Sequence, residues 1–261
     1  LRIGIPIVPH YLSGIILNQG DRIMIDKMVG KTEVALYGLA YSIGMLVQLF
    51  ISGMNSALTP WMYSKIKKGD IRSMRKVLQL LSVVVVGIAV ALMLISPELV
   101  LIFGSPKSRE AVYVIPPVAA SVFFIFIYNI LSMPQFYYEK TQFLMAASMA
   151  AAGANVVLNF IFIRLFGYIA AGYTTLACYM LYSVGHYIVS KRILVNEGIQ
   201  ENLMSPGFLV ACSVFLIGAS IICNLIFPYR ILRYAILLAS AGLVFWKKEL
   251  LLKTMADIRK K

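Results

Sequence analysis

Apolar residues fall into eight long runs separated by short polar stretches. The runs cover residues 3–25, 34–62, 77–103, 112–133, 143–163, 169–189, 208–227 and 231–246. Seven are 20 to 29 residues long and the last has 16. At 1.5 Å per residue, a helix of about 20 residues crosses a hydrocarbon core of ~30 Å. Strands of a membrane barrel are short and alternate apolar with polar residues. These runs are long and continuously apolar. The pattern predicts an all-α integral membrane protein with about eight transmembrane helices, the last being the weakest candidate.

Composition narrows the picture. Of the 261 residues, 60% are apolar and 13% are charged, with a mean hydropathy of +0.83. A soluble domain carries about 25% charged residues, so a soluble globule is excluded. Disorder needs low hydrophobicity and high charge, and is excluded too. The first residue is Leu1, and no basic-then-apolar leader with a small-residue cleavage site precedes the first run. The chain therefore reads as a piece of a longer protein. Cys178, Cys212 and Cys223 lie inside apolar runs without a C-x-x-C spacing, which gives neither a disulfide framework nor a metal site.

The net charge is +13. In a soluble protein that would suggest nucleic acid, so the placement of the cations matters. Numbering the connections alternately, one side receives Arg2, Lys65, Lys67, Lys68, Arg72, Arg75, Lys76, Lys140, Lys191, Arg192, Lys247, Lys248, Lys253, Arg259, Lys260 and Lys261. The other receives Lys27, Lys31, Lys107, Arg109, Arg164 and Arg230. Sixteen against six is a positive-inside signal that puts both ends of the chain in the cytoplasm. The cations form no single stripe, so no nucleic-acid partner is expected. Residues 247–261 place Leu251, Met255 and Ile258 at helical spacing among lysines, which suits a helix lying on the inner membrane surface.

The longest connections, 63–76 and 190–207, are too short for an extramembrane catalytic domain. No phosphate-binding G-x-x-x-x-G-K-[ST], no H-E-x-x-H and no G-x-S-x-G occurs. No enzymatic activity, cofactor or metal is expected. A membrane-embedded glycosyltransferase or ligase would need catalytic residues in sizeable outer loops. Transport remains.

Polar residues inside the runs carry the information, because an ionised side chain at mid-span costs about 2.5–3.5 kcal/mol on insertion scales. The first run holds Asn18, Asp21 and Arg22 at i, i+3 and i+4, on one helical face. Arg22 is also one turn from Asp26. Pro6, Pro9 and Gly4 predict a bent first half. Two readings stand: a water-lined wall of a substrate cavity, or an anchor at the outer interface. In the second run, Tyr37, Tyr41, Gln48, Ser52, Asn55 and Thr59 step by three, four or seven residues along one stripe. The stripe lines a cavity or bonds to neighbouring helices. Tyr128, Asn129, Gln135, Tyr137 and Tyr138 end the fourth run as an interfacial belt or a sugar-stacking platform. Ala146, Ala150 and Ala154 have the spacing that lets helices approach closely, and Asn155 and Asn159 follow on one face. Asp21 is the one acid well inside a run, with Glu98 near an end, whereas proton-driven pumps usually carry more.

Two stretches resemble a known family. The first is Asp21-Arg22-Ile23-Met24-Ile25, then Val29-Gly30, then Glu33-Val34-Ala35-Leu36-Tyr37-Gly38-Leu39-Ala40-Tyr41. It resembles the start of the second half of Wzx-type polysaccharide flippases, in the multidrug/oligosaccharidyl-lipid/polysaccharide exporter superfamily. Ala35-Leu36 stands where Val-Gly is usual. Ala57-Leu58-Thr59-Pro60 and the basic stretch ending Gly69-Asp70 resemble the end of that family helix. The second is Asn155-x-x-x-Asn159, then Gly167-x-x-Ala170-Ala171-Gly172-x-x-Thr175, with Ala170 in place of a glycine.

The resemblance implies a fold and a function. The fold is the second six-helix half of a MATE-like fold, residues 1–190, then a cytoplasmic loop 191–207, two additional helices in 208–246 and a basic tail 247–261. The implied activity moves an isoprenoid-diphosphate-linked oligosaccharide from the inner to the outer leaflet by alternating access, in surface polysaccharide assembly such as O-antigen or capsule. The implied partners are the lipid-linked oligosaccharide, membrane lipids, a missing N-terminal six-helix half and the polysaccharide polymerase machinery, in a bacterial plasma membrane. Asn18, Asp21, Arg22, Tyr37, Tyr41, Gln48, Asn55, Asn155 and Asn159 are the expected cavity-lining residues, with Arg22 suited to a diphosphate. The alternative is a MATE-like drug/ion antiporter, which the scarcity of acids inside the runs disfavours.

Overall fold

The structure, a computed structural model, describes residues 4–246. The tail 247–261, expected as a surface helix, lies outside the described residues, as does Arg2. The described chain is helical throughout: α1 (Gly4–Met28), α2 (Lys31–Gly44), α3 (Leu46–Lys67), α4 (Ile71–Phe103), a 3-10 turn (Pro106–Val114), α5 (Ile115–Tyr137), α6 (Gln142–Phe166), α7 (Ala170–Asn196), α8 (Pro206–Ile226) and α9 (Arg230–Trp246). No strand occurs among the described residues. With α2 and α3 as one rod, the eight expected segments are each a helical rod, and the protein is a multi-pass α-helical membrane protein.

Among the described residues, five rods are long and apolar enough to cross a membrane on their own: Lys31–Lys67, Ile71–Phe103, Pro106–Tyr137, Gln142–Phe166 and Pro206–Ile226. The other three fall short for physical reasons. The helix α1 carries Asp21, Arg22, Asp26 and Lys27. The helix α7 is rich in Tyr, Thr and Ser. The described part of α9 has 17 residues, among them Arg230 and Arg233.

Two expected features differ. The connection read as 63–76 is mostly helix, since α3 runs to Lys67 and α4 starts at Ile71. Asp70 closes the turn: it caps α4 by accepting from the Ser73 amide at 3.3 Å and takes the Lys65 ammonium at 2.5 Å. The second run breaks at Met45, without a proline. There Gly44 packs so tightly that a Cβ on it would lie 2.6 Å from Val118 Cγ1 on α5.

The centre of the bundle is α5. Pro116 and Pro117 occupy its first turn, where a missing N–H costs nothing. Every residue from 115 to 127 is buried, against α3, α4, α7 and α8. At its start α5 meets α7, where a Cβ on Gly172 would come within 3.1 Å of Pro117 Cγ. This close approach explains the glycine in the Gly167-x-x-Ala170-Ala171-Gly172 stretch. The outermost helices, α8 and α9, present Val210, Val214, Phe215, Leu225, Ile231 and Leu238 outward, as a lipid-facing surface does.

On α6, the small residues Ala146 and Ala150 are exposed, and the packed face is Ser148, Ala151, Ala152, Asn155 and Asn159. Two asparagines cost more to leave in lipid than alanines, so they set the rotation of the helix.

Candidate functional site: a closed polar cluster beside an open cavity

Polar side chains inside the bundle form two compartments. The first is closed. Asp21 on α1 is fully buried. Its Oδ2 accepts from the Tyr37 hydroxyl at 2.5 Å and the Thr175 hydroxyl at 2.7 Å. Its Oδ1 accepts from Asn159 Nδ2 at 2.5 Å. Asn159 Nδ2 also reaches Asn155 Oδ1 at 3.1 Å, and its Oδ1 accepts from the Thr174 hydroxyl. Helices α1, α2, α6 and α7 thus meet on one carboxyl group. Among the described residues none pairs with Asp21 as a cation. Three neutral donors face two oxygens, which suits an acceptor-only carboxylate.

The second compartment is an open cavity of about 690 Å³. Its walls include Asn18, Gln19 and Arg22 of α1, Tyr41 and Ser42 of α2, Tyr128 of α5, Ser148 of α6, and Tyr179 and Tyr182 of α7. Asn18 Oδ1 accepts from the Tyr41 hydroxyl at 2.8 Å and the Tyr179 hydroxyl at 3.3 Å, while its Nδ2 donates to the Gly14 carbonyl at 2.8 Å. These groups satisfy one another. Arg22 is different. One arm donates to Gln19 Oε1 at 2.9 Å, and the guanidinium lies 5.3 Å from the centre of the Tyr41 ring. Its Nε–H has no partner. Arg22 turns back to Gln19 and sideways to Tyr41, rather than on to Asp26. It is the one charged residue among the described residues lining this cavity.

The nine expected lining residues therefore separate. Asn18, Arg22 and Tyr41 line the cavity. Asp21, Tyr37, Asn155 and Asn159 do not; they form the closed cluster behind it, because a carboxylate and its donors gain more from one another than from an open wall. Asp21 thus lies behind this cavity, in the closed cluster. Gln48 and Asn55 lie on α3, beyond the break at Met45, outside both compartments. The hydroxyls of Ser52, Ser56 and Thr59 bond to carbonyls of their own helix at 2.8 to 3.0 Å. The expected aromatic belt divides. Tyr128 is in the cavity wall, parallel to Tyr179 at a centroid distance of 6.3 Å. Tyr137 and Tyr138 pack at the end of α5 with Tyr63. Gln135 is buried and bonds His186 Nδ1 at 2.7 Å.

The residues missed in sequence are on α7, where they extend a stripe that begins at Thr175 of the motif. Thr175, Tyr179, Tyr182, His186 and Ser190 recur at spacings of four, three, four and four and are all buried. The same stripe test applied to the second run would have found them. No three His, Cys, Asp or Glu side chains come together as a metal site among the described residues.

The chain matches the model of the MatE family over residues 6–161. It belongs to the MatE family. MatE proteins are membrane transporters of the multidrug/oligosaccharidyl-lipid/polysaccharide exporter superfamily. The MatE match contains α1 to α5 and most of α6, hence Asp21, Tyr37, Asn155 and Asn159, while the MatE chain's Thr174 and Thr175 follow it. Two relatives come from Haemophilus influenzae. "Lsg locus putative protein 1" is 31% identical over 153 residues, 57% of this chain and 38% of the relative. An "Uncharacterized membrane protein" is 31% identical over 134 residues, 48% of this chain and 32% of the relative. The MatE chain thus spans about a third of the length of these relatives. No solved structure matches it.

Proposed function

We propose that this chain is part of a Wzx-type flippase that moves an isoprenoid-diphosphate-linked oligosaccharide from the inner to the outer leaflet of a bacterial plasma membrane. The observation that carries the reading is the chemistry of the cavity. Its described lining has one charge, the Arg22 guanidinium, and no carboxylate. A cationic drug finds no counter-ion there. A diphosphate does, because the planar guanidinium binds phosphate oxygens in pairs. The tyrosine rings beside it suit the apolar faces of sugar rings. In this reading the headgroup occupies the cavity while the lipid tail stays in the bilayer.

Residues 1–190 then form one six-helix repeat and 208–246 two additional helices, joined by the loop 191–207. The cation distribution supports an arrangement with both ends in the cytoplasm. The polar open side of the cavity would face a second six-helix half of the same protein, with a pseudo-two-fold axis along the membrane normal. Polysaccharide polymerase machinery would receive the flipped product.

A second reading, ion-coupled drug antiport, is favoured by Asp21. A carboxylate held by neutral hydroxyl and amide donors can exchange them for a proton or a small cation.

Complementation separates the two. The full-length gene is returned to a flippase-null strain, and surface polysaccharide is measured. The flippase reading expects rescue by the wild type and a severe loss with Arg22→Ala. Drug efflux driven by an ion gradient, without polysaccharide rescue, would establish the antiporter instead.

A further inference from the structure

Outside the cavity lining, α9 presents a puzzle. Its apolar stretch, 231–246, has 16 residues between Arg230 and Lys247, about 24 Å of helix. Its first turn carries Arg230 and Arg233. It is not among the helices long and apolar enough to cross a membrane alone. Its apolar side chains hold it poorly: Ile231 is 87% exposed and Leu238 72%. It nevertheless lies against α4 and α8.

The attachment is polar. Arg233 is 3% exposed. Its Nη1 and Nη2 donate to the two carboxylate oxygens of Glu98 on α4, each at 2.8 Å, and Nη1 donates to the Leu94 carbonyl at 2.6 Å. The Tyr234 hydroxyl adds a bond to Glu98 Oε1 at 3.0 Å. The receptor is built around Pro97. Proline has no N–H, so the Met93 carbonyl loses its helical partner. The Ser96 hydroxyl takes that carbonyl at 2.8 Å. The neighbouring Leu94 carbonyl goes to Arg233.

We propose that Glu98 makes α9 a membrane span. An apolar stretch shorter than the hydrocarbon core cannot place both of its charged ends in the headgroup layers at once. Arg233 therefore cannot reach water by extending its side chain without dragging the opposite end into the core. Paired with Glu98, it enters as a neutral, hydrogen-bonded unit; unpaired, it opposes insertion. Insertion of α9 thus depends on a residue more than a hundred positions earlier. The cations of 247–261 act in the same direction, since they resist translocation.

Sidedness tests this. When α8 and α9 both span, the loop 197–205 and the residues after 246 lie on the same side. When α9 does not, they lie on opposite sides. In the full chain, a topology reporter fused after Lys261 is compared with labelling of a cysteine placed at Glu201→Cys. The wild type is expected to show both on one side. Glu98→Ala is expected to move a large fraction of tails to the opposite side, with the loop unchanged. Glu98→Ala with Arg233→Ala should restore the wild-type arrangement, because no unpaired charge remains, and the swap Glu98→Arg with Arg233→Glu should restore it too. A contact that merely packs α9 would leave the double alanine variant worse than Glu98→Ala alone. Wild-type sidedness in every Glu98→Ala molecule, or no rescue by the double variant, overturns the proposal.

Discussion

Asp21 and Glu98 are both carboxylates on membrane-embedded helices, and they are held in opposite ways. Glu98 meets a full counter-charge, the Arg233 guanidinium, with its own side chain still 25% exposed. Asp21 is sealed and meets only neutral donors, two hydroxyls and an amide. A carboxylate cancelled by an arginine has spent its charge on structure and has little left to exchange. A carboxyl group held by neutral groups has no counter-charge within its four-helix junction. The contrast separates an assembly contact from a candidate working group, although both are simply acids inside apolar runs.

The largest test of this contrast is Asp21→Ala. It leaves the hydroxyls of Tyr37 and Thr175 buried without their acceptor, at about 1–3 kcal/mol each, while Asn159 keeps its bond to Asn155. Thermal unfolding in detergent should show a severely destabilised protein. Asp21→Asn keeps the shape, so transport should fall further than stability does. An Asp21→Ala protein that melts like the wild type would break the comparison.

Next is Glu98→Ala. A fully buried pair loses about 3–5 kcal/mol when one partner is removed. Glu98 is partly exposed, so a loss of about 2–3 kcal/mol is expected by the same rule. Removing Arg233 as well should recover much of it in the same melt.

Thr175→Val deletes one donor and leaves Asp21 with two, for roughly 1 kcal/mol and a measurable loss of transport. The smallest effect on stability is Arg22→Lys, within about 0.5 kcal/mol. Its consequence should appear in binding of isoprenyl diphosphate to the purified protein, since lysine lacks the forked guanidinium.

Much of this architecture was legible in the sequence. Run length and continuity gave the helical rods, because a membrane helix must be long and apolar in a way few other structures are. Asn18, Asp21 and Arg22 were recognised as one polar face. What the face does was not legible. Asp21 and Arg22 are neighbours, and the 100° between them sends one into a closed cluster and the other into an open cavity. That outcome depends on Asn159 and Thr175, each more than a hundred residues away. The break at Met45 was also hidden, because no proline marks it and the close approach of Val118 to Gly44 beside it is a tertiary contact. The packed face of α6 was misjudged by about two residues, since alanine spacing alone does not show that the asparagines decide the rotation.

One turn of α2 has a consequence of a different kind. The Tyr37 hydroxyl ends on Asp21 and the Tyr41 hydroxyl ends on Asn18. The partition between the sealed room and the open one is therefore a single helical turn thick, about 5.4 Å. Such a partition tolerates a change of side chain better than a change of count. One residue added between the two tyrosines would rotate everything beyond it by about 100° and turn one phenol away from its room. This turn is thus constrained in length as well as in composition, and indels should be far rarer here than in the connections between helices.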